Sequence, residues 1–166
     1  MKKKIMEKWV KALRSGEYKQ CQETLCSVDY NTGEKSYCCL GVLTDLYLKE
    51  RKRQKKGRGI KGFREFTKQD VAQYECSFNA WEVKKAGKLP EDGSLPDEVA
   101  KWAGWTDLTS SWMGRTYKTG TFQTPSGKVI SLAELNDGAD LFEDIPQKGK
   151  SFKQIADVIE KNYEHI

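Results

Sequence analysis

Ile5, Trp9 and Leu13 recur at i, i+4 and i+8, Val10 and Ala12 widen the stripe, and Gly16 follows. The spacing predicts an amphipathic helix over about 3–15. Thr24, Leu25, Val28 and Tyr30 precede Asn31-Thr32-Gly33, and Tyr37 and Cys38 lie beyond it, which predicts a β-hairpin. Cys39, Val42, Leu43, Leu46 and Tyr47 then fall at i, i+3, i+4, i+7 and i+8, the clearest helical stripe in the chain. Residues 66–90 are readable in two ways: Thr67 caps a helix bearing Val71, Tyr74 and Phe78, or Phe78 to Val83 are extended. Pro96-Asp97-Glu98 opens a short helix with Val99, Trp102 and Ala103 on its apolar face and Gly104 at its end. Thr116 to Gln123 and Lys128 to Leu132 flank Thr124-Pro125-Ser126-Gly127, a second hairpin. Leu132 to Leu135 form a helical turn. Ser151-Phe152-Lys153-Gln154 is a capping box, and Ile155, Val158, Ile159 and Tyr163 form the stripe behind it.

These elements predict an α+β fold: three or four helices with two β-hairpins joining one antiparallel sheet. The 166 residues fit a single domain over 1–166, long enough to bury a core without metal or disulfides. No apolar run approaches the length of a membrane span, and Met1-Lys2-Lys3-Lys4 has no apolar stretch behind it, so no membrane association and a cytosolic location are expected. Five cysteines, an odd number, suit reduced thiols: Cys21, Cys26, Cys38, Cys39 and Cys76.

Charge divides the chain. Residues 1–64 carry 17 Lys/Arg against 7 Asp/Glu and residues 65–166 carry 12 against 17, so a +10 part adjoins a −5 part. Much of the excess lies in a basic stretch at about 49–65, expected to be an exposed loop or helix end. Arg51, Lys52, Arg53, Lys55, Lys56 and Arg58 in it make a nucleic-acid contact one candidate role, through field and counterion release. The other reading is a solvated helix end running into a glycine-punctuated loop.

Several short runs occur in a recognisable order. They are Trp9-Val10-x-Ala12-Leu13-Arg14-Ser15-Gly16-x-Tyr18-x-Gln20, Tyr37-Cys38-Cys39-Leu40-Gly41-Val42-Leu43-x-Asp45, Leu95-Pro96-x-x-Val99-x-x-Trp102, Leu135-Asn136-Asp137, and Ser151-Phe152-x-x-Ile155-Ala156-Asp157-x-Ile159-Glu160. The set resembles a group of small proteins encoded by tailed bacteriophages; Tyr-Cys-Cys-Leu-Gly-Val-Leu is its most specific piece, and residues 49–90 lie outside the likeness. The resemblance implies an origin rather than a mechanism: a host-takeover or anti-defence factor acting in the host cytoplasm.

The candidate chemistry points to binding. The only histidine, His165, stands next to the last residue, a poor base for a cysteine nucleophile. The cysteine spacing lacks the paired pattern of a zinc site, and Asn136, Asp137, Asp140, Glu143 and Asp144 lack the order of a calcium loop, so no metal is expected. Gly57-x-Gly59-x-x-Gly62 has dinucleotide-fingerprint spacing but no strand ahead of it. No cofactor is expected and no catalytic residue is assigned. Trp102, Trp105 and Trp112 with Arg115 and Tyr117 combine aromatic faces and a guanidinium, suited to stacking a base and holding a phosphate; core packing is their simpler role. Arg14 and Tyr18 form a similar cluster, and Tyr37, Asn136 and Asp137 complete the candidate ligand set.

Three functions follow. The first is a non-enzymatic factor that binds and sequesters a small anionic, nucleotide-like ligand such as an immune signal. The second is a nucleic-acid-binding protein using residues 49–64, and the third a protein inhibitor of a host defence component. Homo-oligomerisation is left open.

Overall fold

The computed structural model describes residues 1–29, 31–53, 94–105, 119–138 and 148–166 in full, and residues 63–65, 78–79, 81–83, 110–112 and 115–117 as backbone strands. Helix α1 runs Lys3–Arg14 and buries Ile5, Met6, Trp9, Val10 and Leu13, the predicted stripe with Met6 added. Ser15 ends it, its N–H and hydroxyl both donating to the Ala12 carbonyl at 3.2 and 2.8 Å. Lys11 and Arg14 in the last turn suit the negative end of the helix dipole.

Strands β1 (Lys19–Gln20), β2 (Cys26–Val28) and β3 (Lys35–Tyr37) follow. β2 and β3 are the predicted first hairpin, with Cys26 opposite Tyr37 and Val28 opposite Lys35. β1 joins β3 in parallel, pairing Gln20 with Tyr37. β4 (Phe63–Glu65) pairs antiparallel with β6 (Trp81–Val83), and β5 (Phe78–Asn79) adds to β2, giving the sheet order β1-β3-β2-β5. The extended reading of Phe78–Val83 therefore holds for β5 and β6, while a helix capped by Thr67 falls outside the described residues.

Helix α2 spans Cys39–Arg53. The predicted stripe is too narrow for it: Leu40, Gly41 and Thr44 are buried along with Cys39, Val42, Leu43 and Tyr47. Its first turns pass through the middle of the molecule, against β3, α1 and the later helices, so apolar residues are needed on every side. Gly41 is required there, because a Cβ on it would meet the Leu25 carbonyl oxygen at 1.6 Å. Residues 49–53, expected in an exposed loop or a fraying end, form the last turn of α2, and Phe63–Glu65 is strand.

Helix α3 (Asp97–Ala103) starts after Pro96 and stops at Gly104, whose φ of +68° favours a residue without a Cβ. Strands β7 (Ser110–Trp112) and β8 (Arg115–Tyr117) pair with each other, and β9 (Thr121–Gln123) pairs with β10 (Val129–Ser131). The expected strand from Thr116 to Gln123 is thus broken into β8 and β9, with Gly120 at φ +72° between them. The two predicted hairpins lie in separate sheets rather than one. Helix α4 (Leu132–Asp137) is capped by Ser131, whose hydroxyl accepts the Glu134 N–H at 3.3 Å. Helix α5 (Phe152–Asn162) carries the predicted capping box and ends in a 3-10 turn, Tyr163–His165.

Among the described residues one continuous core joins α1, β2, α2, α3, β9, α4 and α5 in an α+β domain. Trp9, Leu40, Leu43, Phe122, Leu132, Ile155 and Ile159 are fully buried in it. Full burial of a side chain of this size contributes about 1.5–3 kcal/mol. Trp9 also donates its indole N–H to the Cys39 carbonyl at 3.0 Å, so its polar atom carries no desolvation penalty.

Candidate functional site

An open cleft of about 680 Å³ lies where the end of β1, the last turn of α4 and the start of α5 meet. Gln20, Cys21, Gln22, Asn136, Lys148, Gly149, Lys150, Ser151 and Gln154 line it. Its floor is Asn136, only 1% exposed and saturated on both sides of its amide. The Asn136 Oδ1 accepts from Gln20 Nε2 at 3.0 Å and from the Cys39 N–H at 3.3 Å. Its Nδ2 donates to the Cys21 carbonyl and to Asp137 Oδ1, both at 2.8 Å. A buried side-chain amide is tolerated only when satisfied in this way, and here it ties β1, α2 and α4 together.

Gln20 fastens the opposite wall. Its Nε2 also donates to the Lys150 carbonyl at 2.8 Å, and its Oε1 accepts the Phe152 N–H at 3.1 Å. The Lys150 N–H donates to the Leu135 carbonyl at 2.7 Å. Residues 148–152 are thereby strapped across the end of α4. The strap lies close: a Cβ on Gly149 would be 2.2 Å from the Asn136 carbonyl oxygen. On the third side, Gln22 Nε2 donates to the Asp137 carbonyl at 2.8 Å, and Asp137 Oδ1 accepts the Glu23 N–H at 3.0 Å. Glu23 sits at φ +64°, the one non-glycine in the left-handed region among the described residues, and the Asp137 carboxylate holds it there.

Among the described residues the charged groups of the lining are both cations. Lys148 and Lys150 are exposed, and among the described residues neither pairs with a carboxylate. No Asp or Glu lines the cleft among the described residues. Cys21 is half-buried, and desolvation raises its thiol pKa despite the bonds at Thr24 that oppose the rise. Desolvation also pushes the Cys26 and Cys38 thiols up to about 12 and raises Cys39 well above its ordinary value. Such thiols are poor nucleophiles near neutrality. Among the described residues no three His, Cys, Asp or Glu side chains group to hold a metal ion. No helix among them is long and apolar enough to cross a membrane.

A protein-family model covers residues 1–163. The chain belongs to that family, described as Domain of unknown function (DUF8296). No curated protein and no solved structure matches it.

The sequence-predicted ligand residues are scattered. Asn136 is the floor of the cleft, whereas Asp137 is not among its lining residues and is bonded to Asn136 Nδ2 and the Glu23 N–H behind it. Tyr18 and Tyr37 meet edge to face at 5.2 Å but belong to a different cluster. There the Tyr18 hydroxyl donates to Asp45 Oδ2 at 2.6 Å and accepts from Lys49 Nζ at 3.0 Å. Burial and the Asp45 bond raise the Tyr18 pKa. Arg14 is a surface residue whose guanidinium is taken by Asp157 at 2.6 Å and Glu160 at 2.7 Å. Trp105 is a core residue, 7% exposed and 5.7 Å from the Trp9 ring, so it offers no face for stacking. Trp102 is half-buried, edge to face with Tyr47 at 5.4 Å and bonded to Glu50. The side chains of Arg115 and Tyr117 lie outside what is described, as do Lys55, Lys56 and Arg58. Of the basic strip, Lys52 and Arg53 are exposed, whereas Arg51 packs over the Tyr47 ring at 5.9 Å with its Nε buried.

Sequence reading missed Gln20, Gln22, Lys148, Lys150 and Gln154 as cleft residues. Gln20 already stood in one of the quoted runs, and Gly149 between two lysines just ahead of a capping box was the other available signal.

Proposed function

We propose that the chain is a non-enzymatic binding protein that takes a small anionic, nucleotide-like ligand into this cleft and acts by sequestering it. The carrying observation is a cleft of ligand-pocket size lined by Lys148, Lys150 and neutral amides. Opposite charge at a partly enclosed surface attracts and holds an anion, and the amide N–H groups left free on Gln22 and Gln154 can orient it. The raised thiols and the absence of histidine from the lining support binding over covalent chemistry. The likeness to small tailed-phage proteins supplies a setting, the removal of a nucleotide signal of host immunity.

Titration calorimetry of the full chain with a panel of nucleotides tests this. Binding that weakens as salt rises, and that is lost in the Lys148→Glu/Lys150→Glu double variant, is the expected result. Absence of binding across the panel, or full affinity in the double variant, overturns the reading. Of the basic strip that the nucleic-acid alternative uses, Lys49 is held by Asp45 at 2.7 Å and Arg51 lies against Tyr47, while Lys52 and Arg53 are exposed.

A further inference from the structure

The start of α5 borders the cleft, yet its backbone donors are largely consumed. The Phe152 N–H goes to Gln20 Oε1 at 3.1 Å and the Gln154 N–H to the Ser151 hydroxyl at 3.4 Å. Recognition therefore falls to side chains. The amides of Gln20 and Asn136 have spent both of their N–H groups on the protein, and Gln22 has spent one of its two. Gln154 has spent neither. Its Oε1 accepts from the Ser151 N–H at 3.0 Å and the Ser151 hydroxyl at 3.1 Å. The Ser151 N–H can only donate, which fixes the oxygen of Gln154 toward the cap and turns Nε2 away from it. Gln154 is exposed and lines the cleft, and its Nε2 has no partner among the described residues.

We infer that Gln154 is a specificity-determining residue of the cleft, presenting its amide N–H with the Lys148 and Lys150 ammoniums to the oxygens of a phosphate group. This rests on the ligand-binding reading above. Two ammoniums and one oriented amide form a donor set, matched by a group that only accepts and has several oxygens. A terminal phosphate fits that description and a cation does not. The phosphate can be free or carried on a nucleotide; the chemistry at these three side chains is the same.

Gln154→Glu separates recognition from folding. Glutamate is an equal partner in a capping box, so one carboxylate oxygen keeps the Ser151 bonds while the other puts negative charge where Nε2 stood. Calorimetry on the full chain would use inorganic phosphate, a nucleoside monophosphate and the parent nucleoside. Wild type is expected to bind the monophosphate and not the nucleoside. Binding of free phosphate as well would define a general oxyanion site, and its absence a nucleotide site; both uphold the inference. Gln154→Glu is expected to weaken binding at least about tenfold with an unchanged urea midpoint. Gln154→Lys, which forfeits the cap but keeps a donor, is expected to tighten it, a sign that misfolding cannot produce. Lys161→Gln, the same charge change as Gln154→Glu at the exposed far end of α5, should leave affinity alone.

Affinity of Gln154→Glu within about twofold of wild type overturns the inference, as does nucleoside binding as tight as monophosphate. If the lysine double variant loses binding while Gln154→Glu keeps it, the cleft reading stands and the role of Gln154 falls. If wild type binds none of the probes, both fall together.

Discussion

The carbonyl oxygen of Asn136 occupies the place where a side chain on Gly149 would begin, 2.2 Å from an ideal Cβ. Neither atom belongs to a flexible side chain, so the contact yields only if backbone moves. Gly149→Ala is expected to lift residues 148–152 from α4 and cost about 1–3 kcal/mol. Urea denaturation checks the loss, and calorimetry with a nucleoside monophosphate should show weaker binding as Lys148 and Lys150 shift.

Gly41 meets a tighter obstacle, the Leu25 carbonyl oxygen at 1.6 Å from an ideal Cβ. On an exposed helix glycine-to-alanine stabilises; here it should destabilise by about 3 kcal/mol or more, because α2 can no longer seat beside Leu25. Circular dichroism melts of Gly41→Ala would show this, and a rise in melting temperature would refute the close packing.

Gln20 and Asn136 should act as a unit. Their direct bond is 3.0 Å, and each also satisfies backbone groups of other segments. Gln20→Ala and Asn136→Ala are expected to cost about 1–3 kcal/mol each, with the buried Asn136 the larger. The double variant should lose less than the sum, and strict additivity in a double-mutant cycle would deny the coupling.

The buried thiols predict an alkaline limb in stability. Cys26 and Cys38 hold their protons more tightly folded than unfolded, with desolvation pushing both up to about 12 from an ordinary 9.0. The stability this contributes is whole below about pH 9 and is lost as pH rises through the folded values. Urea midpoints measured from pH 7 to 11 should fall above pH 9, and a Cys26→Ala/Cys38→Ala variant should show a shallower fall. Thiol labelling of the native protein at pH 8 should be slow at Cys26, Cys38 and Cys39.

Local patterns were legible where one element's own residues decide the outcome. Ile5, Trp9 and Leu13 are buried on α1 as their spacing requires, Ser151 and Gln154 close a capping box, and the turns at 31–33 and 124–127 join paired strands. Failures arose where a distant segment decides. Leu40 and Gly41 are buried because α2 is surrounded, and β1 is recruited as a parallel partner by β3. The cleft brings 20–22, 136 and 148–154 together through polar side chains that follow no period. Trp105 looked like a ligand platform because aromatic clustering in sequence does not say which ring is covered; Trp9 covers it.

The Asn136 bond to the Cys39 N–H also bears on how the chain acquires its structure. The first turn of α2 is finished by a side chain 97 residues further on, and α1 packs along α5, with Arg14 paired to Asp157 at a separation of 143. Contacts that close such long loops are slow to form. During synthesis α2 emerges before its cap and its later neighbours, and the core can close only once α5 and the buried Ile166 behind it are also free of the ribosome.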